Sequence, residues 1–216
     1  MTQPQRLVVL DVDSTLTRDE GIDLLARFVS PEVAAEVSSI TAAAMRGELD
    51  FEQSLRARVA TLRGVPEALI ADATAQVRLT PGAQELVDAL HAEGHLVGAV
   101  SGGFHHMVDP LAADLRLDFH RANRLGVENG RLTGQLTGAI IDAAAKRSTL
   151  REWARDSSID MTNTVAVGDG GNDVLMLQEA GIGIAFMAKP IAQEAADVII
   201  DTADLRLVLD AMSTAS

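Results

Sequence analysis

Three short polar clusters hold side chains that suit chemistry on an anion. Asp11 and Asp13 stand two apart in Asp11-Val12-Asp13-Ser14-Thr15. Ser101 precedes Gly102 and Gly103, and Asp169 and Asp173 bracket Gly170-Gly171-Asn172. Gathered at one edge of a sheet, Asp11, Asp13 and Asp169, with Asp173 nearby, would repel one another unless a cation sat among them. Hard oxygen ligands without His or Cys close by in sequence favour Mg²⁺. Two carboxylates and a substrate phosphate are a normal set of partners for that ion. A plainer explanation exists for each cluster alone, because turns after strands are rich in Asp, Ser, Gly and Asn. Three such clusters, all able to do chemistry, favour a site.

The elements that must position them can be read from hydrophobic period. Arg6 to Leu10 reads as a buried strand ending at Asp11. From Glu20 to about Ala75 the spacing is helical, with Ser30-Pro31-Glu32 as a helix start and Gly47 as a break. After Thr80-Pro81-Gly82 strands and helices alternate. The spacing predicts helices over 83–92, 104–113, 143–155, 173–179, 190–195 and 204–212. It predicts strands at His95 to Val100, Phe119 to Asn123, Thr164 to Val167, Ile182 to Phe186 and Val198 to Ile200. A separate hairpin pairs 124–128 with 131–136 around Asn129-Gly130. Alternation of this kind implies βαβ units and an α/β fold, a doubly wound parallel sheet. We expect residues 1–18 and 78–216 to form that core and residues 19–77 a small helical cap inserted after the first strand. In such sheets ligands bind beyond the carboxyl ends of the strands, where all three clusters fall.

Composition narrows the functional classes. Hydrophobic residues make up 47% and charged residues 23%, as expected of a soluble globular chain of 216 residues. Cysteine is absent, which excludes disulfides and thiolate chemistry and suits a reducing, cytoplasmic setting. No apolar run approaches the ~18 residues of a membrane span. A net charge of -13, 3% aromatics and no tyrosine argue against nucleic acid as a partner. An anionic small molecule must then be held by a few placed cations or a metal. Only two lysines occur, Lys146 and Lys189, so lysine is not the default surface cation here.

The runs Asp11-Val12-Asp13-Ser14-Thr15-Leu16-Thr17, Ser101-Gly102-Gly103, Lys146 and Gly168-Asp169-Gly170-Gly171-Asn172-Asp173 resemble the four motifs of the haloacid dehalogenase superfamily of phosphatases. The likeness covers essentially the whole chain. Glu20 and the stretch Gly47 to Val59 make it similar to the branch acting on O-phospho-L-serine. The resemblance implies a haloacid dehalogenase-type core with a helical cap, and Asp11 as the nucleophile that becomes phosphorylated. It implies Asp13 as the acid that protonates the leaving serine oxygen and then deprotonates water, a role contributing ~10²–10⁴-fold. In the related ion-pumping ATPases a threonine replaces this acid, so Asp13 points to a hydrolase. Mg²⁺ would be held by Asp11, the backbone carbonyl of Asp13 and Asp169, with Asp173 placing a metal-bound water and Asn172 the substrate. Lys146, Ser101 and the Gly102 amide would hold the phosphoryl oxygens. In the cap, Glu20 would take the substrate ammonium, Arg58 its carboxylate, and Met45 and Phe51 would pack over it. Taken without the resemblance, Glu20 and Arg58 read as surface charges, and Met45 and Phe51 as core.

The resemblance thus implies a phosphatase that releases serine, the last step of serine synthesis, as monomer or homodimer. Alternatives are a phosphotransferase passing the phosphoryl group to an alcohol such as homoserine, a phosphatase for another small phosphomonoester, and a non-catalytic domain on the same scaffold. Loss of Asp11, Asp13 or Lys146 would accompany the last, and all are present. A cap over a water-free centre must move to admit substrate, with hinges expected at Leu16 to Asp19 and Val77 to Pro81. His105 and His106 read as polar residues at a helix start, and Trp153 as buried.

Overall fold

The structure, a computed structural model, describes residues 4–214. Strand β1 (Leu7–Leu10) is buried on both faces. Val8 and Leu10 enter one apolar cluster and Leu7 and Val9 another, which is why the run is unbroken rather than alternating. A turn over Val12–Leu16 follows, and then four helices, α1 (Gly21–Val29), α2 (Pro31–Met45), α3 (Phe51–Ala60) and α4 (Ala68–Thr74). Helix α5 (Ala83–Ala92) leads into β2 (Leu96–Phe104), α6 (His105–Leu115), β3 (Phe119–Glu128) and β4 (Arg131–Thr137). The remainder is α7 (Ala143–Asp156), β5 (Thr164–Gly168), α8 (Val174–Glu179), β6 (Ile182–Phe186), α9 (Pro190–Gln193), β7 (Val198–Ile200) and α10 (Leu207–Thr214).

The strands form one sheet of order β4-β3-β2-β1-β5-β6-β7. Its pairs are parallel except β3 with β4. Leu10 lies beside Ala99 of β2 on one side and Val167 of β5 on the other. Strand order reverses at β1, so the crevice beyond its carboxyl end is the switch point at which such sheets bind ligands.

Two strands differ from the sequence expectation. β3 is continuous from Phe119 to Glu128, where the sequence suggested a short strand and a separate hairpin arm. Its first half pairs with β2 and its second half with β4. Asn123, the last residue of the expected short strand, is only 2% exposed, and both ends of its amide bond to backbone groups. β2 runs on to Phe104 rather than stopping at Val100. Val100 pairs with Arg121 but Phe104 with Asn123, so Ser101-Gly102-Gly103 bulge out of register. Bulges of this kind bend a strand and re-aim its residues.

The four helices share an apolar cluster that closes on Phe104, Met107, Leu125 and Leu132. Local signals start two of them. Ser30 Oγ caps α2 by accepting from Val33 N–H at 3.2 Å, and Asp50 with Gln53 forms a capping box on α3. Gly47, at φ +77°, takes the left-handed conformation just beyond α2. The two connectors to the sheet run side by side. Arg18 N–H donates to Arg78 O at 2.9 Å, and the Arg78 guanidinium pairs with Asp19 at 2.8 Å. A third tie joins the helices to the hairpin, since Gly64 N–H donates to Leu132 O and Leu132 N–H to Val65 O, both at 2.8 Å.

Candidate active site

The floor of the site is built where β1, β5 and α7 converge. Asp11 N–H donates to Val167 O at 2.8 Å, which fixes the first aspartate at the tip of its strand. Helix α7 starts at a capped Asp142, whose side chain accepts from Ala145 N–H at 2.8 Å. One turn on, the Lys146 ammonium is fully buried and donates to Asp11 and, at 2.7 Å, to Asp173 Oδ1. The other Asp173 oxygen accepts from the N–H groups of Asp169 at 3.1 Å and Gly170 at 3.0 Å. That bonding holds the Gly168-to-Asp173 loop in shape. Burial alone would lower the Lys146 pKa, but Asp11 and Asp173 push it well above its ordinary value, so the ammonium stays charged.

Asp11, Asp169 and Asp173 bring carboxylate oxygens within 4.8 Å of one another. Burial, then the Asp173 charge, holds Asp11 well above the ordinary carboxylate range, despite Lys146. Burial also raises Asp169 to about 6, against the opposing pull of Lys189. Three carboxylates facing buried Lys146, with the more exposed Lys189 at 3.7 Å from Asp169, leave an excess of carboxylates over cations. An oxygen-only donor set with that excess fits a hard divalent cation. The Asp13 carboxylate is not part of this cluster.

Asp13 instead faces the helices. Its Oδ1 accepts from Gly21 N–H, the first amide of α1, at 2.7 Å, and its Oδ2 from Ser101 Oγ at 3.1 Å. Burial first, and then Glu20, raise its pKa to about 6, against those two hydrogen bonds. Ser14, in the left-handed region at φ 61°, donates to Glu20 Oε1 at 2.8 Å and so ties the turn to the helical layer. The two glycines of the bulge have little room for side chains. A Cβ on Gly102 would meet the Phe51 ring at 3.0 Å.

Above this floor lies a cavity of about 280 Å³. Of the residues singled out from sequence, Asp11, Asp13, Glu20, Met45, Phe51, Arg58, Gly102, Asp169 and Asn172 line it. Ser101, Lys146 and Asp173 lie behind the lining, all fully buried. Met45 stands at the mouth, 77% exposed. Burial lowers the Arg58 pKa, opposed by Glu20, Asp23 and Asp13, so one cation faces several carboxylates across the cavity.

Sequence reading missed two charged lining residues, Asp23 and Lys189. Asp23 follows Glu20 by three positions and shares its helix face, a spacing that could have exposed it. Lys189 Nζ lies 3.7 Å from Asp169 Oδ2, and its N–H donates to Asp169 O at 2.8 Å. Nothing local in the sequence links those two residues. His105 and His106 do not line the cavity. Ala122 N–H donates to His105 Nε2 at 3.1 Å, so the neutral ring carries its proton on Nδ1, which meets Asp109 at 2.6 Å. Nε2 therefore pins α6 to β3, while Nδ1 bonds within α6 to Asp109, which in turn meets His120 of β3 at 3.0 Å. Trp153 is buried and stacked on Phe119 at 5.3 Å.

The family model for haloacid dehalogenase-like hydrolases matches residues 8–178. The chain belongs to that family. Among its members, the phosphoserine phosphatase of Lactococcus lactis is 48% identical over 204 residues, covering 94% of each chain. That of Streptomyces coelicolor is 51% identical over 95% of this chain, which spans 50% of that relative's length. A solved phospho-aspartyl intermediate analogue of a phosphoserine phosphatase superposes with a TM-score of 0.90 at 43% identity, covering 96% of this chain and 99% of the other. A substrate-bound phosphoserine phosphatase complex gives 0.90 at 42% identity, with 96% and 98% covered. This family membership agrees with the α/β architecture and the motif resemblance. No described helix is long and apolar enough to cross a membrane.

Proposed function

We propose that this hydrolase removes phosphate from O-phospho-L-serine through a phosphorylated Asp11, with Mg²⁺ as cofactor. One observation carries the reading. A single cavity is lined by the carboxylates Asp11 and Asp13 and also by the opposed charges Glu20 and Arg58. Phosphoserine carries a matching set of groups, a phosphate together with an ammonium and a carboxylate. The relatives named above support the same substrate.

In this reading an Asp11 carboxylate oxygen attacks phosphorus and the bond from phosphorus to the serine oxygen breaks. Asp13 delivers its proton to that oxygen, and serine leaves. Water then attacks the acyl phosphate, Asp13 takes a proton from it, and phosphate departs as the Asp11 carboxylate returns. Burial keeps Asp13 able to hold a proton near neutrality. Lys146 and Ser101 steady the phosphoryl oxygens, which suits a reaction driven by positioning and charge stabilisation. Asp11, Asp169 and Asp173, with the Asp13 carbonyl, would hold the metal, whose charge offsets the repulsion between nucleophile and phosphate. Asn172 orients the substrate, Glu20 and Arg58 select its amino-acid end, and Phe51 and Met45 cover it. Residues 19–77 act as the cap over a core of 1–18 and 78–216. Serine synthesis in a reducing cytoplasm is the setting this reading implies.

A turnover panel tests it. Phosphoserine, phosphothreonine and an aryl phosphate are compared with Mg²⁺, with Ca²⁺, with chelator, and with an added acceptor alcohol. Mg²⁺-dependent release of serine and inorganic phosphate, with phosphoserine preferred and labelled phosphate trapped on Asp11, is the expected result. Phosphate appearing on the alcohol instead of in water, or no preference for phosphoserine, overturns it.

A further inference from the structure

We propose that Asn123 is a positioning residue for phosphoryl transfer, acting through the Gly102–Gly103 peptide. The inference rests on the phosphatase reading above and names a residue that stands outside the four motifs. Asn123 lies on β3 opposite Phe104, at the point where the β2 bulge rejoins the register. Its side chain is buried, and both ends of its amide are used. Oδ1 accepts from Ile141 N–H at 2.9 Å, and Nδ2 donates to Gly102 O at 2.8 Å. The two partners fix the amide orientation, since one is a donor and the other an acceptor.

The two contacts reach two different parts of the site. Ile141 immediately precedes Asp142, the cap of the helix that presents Lys146. Gly102 O belongs to the peptide whose other end is Gly103 N–H. In a trans peptide the carbonyl and the N–H point in opposite directions. With Gly102 O turned toward Asn123, Gly103 N–H is turned toward Ser101 Oγ, which accepts it at 2.8 Å. The Ser101 hydroxyl proton is then free to donate to Asp13 Oδ2, at 3.1 Å. A continuous run of hydrogen bonds thus leads from the start of α7, through Asn123 and one peptide, to Ser101 and Asp13. A bulge leaves peptide groups without ladder partners. Asn123 satisfies one of them and thereby sets which way Ser101 points. It also keeps Ser101 and Lys146, which arrive on different elements, in register with one phosphoryl group.

The test uses the whole chain with N123D. The substitution keeps an acceptor for Ile141 N–H but turns an oxygen toward Gly102 O. We expect kcat for phosphoserine to fall ~10²-fold, the scale of a small misplacement of reacting groups. Affinity for inorganic phosphate should fall with it, while competitive inhibition by free L-serine, held by Glu20 and Arg58, stays within twofold. The double variant S101A/N123D should lose little more than S101A alone, because Asn123 works through Ser101. Should N123D not fold, N123S, which introduces no buried charge, is read in the same way. An unchanged kcat, multiplicative losses in the double variant, or serine inhibition lost in step with kcat would overturn the Asn123 assignment alone. Failure of the unmutated chain to hydrolyse phosphoserine would overturn the phosphatase reading instead.

Discussion

Gly103 and Asp13 stand so close that no side chain fits between them. A Cβ at position 103 would lie 2.7 Å from Asp13 Oδ2 and 3.0 Å from Ser101 Oγ. Substituting Gly103→Ala therefore presses on the proposed acid and on the hydroxyl that orients it. We expect kcat to fall ~10²-fold, as for other small displacements of reacting groups. The melting temperature should move by only a few degrees, because the bulge edges the cavity rather than the core. Steady-state kinetics beside thermal unfolding would check this, and full activity in G103A would contradict the packing argument.

Lys146 is the charge on which the floor depends. Replacing it with methionine leaves Asp11 and Asp173 buried without their shared cation. Removing one partner of a buried ion pair costs ~3–5 kcal/mol. K146M should show that loss in denaturant unfolding without metal, and saturating Mg²⁺ should recover part of it by binding the folded state. Turnover should fall ~10²–10³-fold, the usual effect of removing one stabiliser of developing charge. Unaltered stability without metal would mean the carboxylates are protonated and need no cation.

Glu20 and Arg58 line the cavity with opposite charges. E20Q and R58A should therefore reduce kcat/KM for phosphoserine ~10²-fold or more, since each leaves a charged substrate group without its partner. An aryl phosphate, which has neither group, should lose less than about threefold by the same reasoning. Parallel measurement of the two substrates decides the point. Equal losses on both would remove the cap residues from substrate selection.

His95 gives the fold a pH dependence away from the site. Arg6 N–H donates to His95 Nδ1 at 3.1 Å, so this ring nitrogen must be unprotonated. Burial lowers its pKa, which the nearby Glu93 opposes and Arg6 reinforces. A histidine whose folded pKa is depressed contributes stability that is full above its unfolded value of ~6.5. That contribution is lost as pH falls through the folded value. Wild-type stability should decline below pH ~6.5, and H95N, which can still accept from Arg6, should show a flatter slope there. Urea unfolding at several pH values would reveal the difference; identical slopes would show that His95 is not the group responsible.

Much of the framework was legible because buried parallel strands are short apolar runs that end in polar residues. Ile182 to Phe186 and Val198 to Ile200 fall where the sequence placed them. The carboxylate clusters, Ser101 and Lys146 also stood out, since ionisable groups at strand ends, and a rare lysine, are conspicuous against aliphatic neighbours. Helix ends were harder. α10 begins at Leu207 rather than 204, because Asp204 turns back to accept from Arg206 N–H at 3.0 Å.

The one-dimensional pattern of this chain determined the alternating architecture, the helical insertion after β1 and the identity of the groups able to do chemistry. Only the tertiary structure decided that β3 is continuous, that Ser101 sits on a bulge, that Asp23 and Lys189 join the cavity and that Asn123 is sealed inside. The reason is physical. Hydrophobic period reports which face of an element meets the core, a local property. The role of a buried amide such as Asn123 is set by backbone groups 21 residues before it and 18 residues after it. Those partners are peptide N–H and C=O groups, which every residue but proline carries alike, so no side-chain pattern announces them.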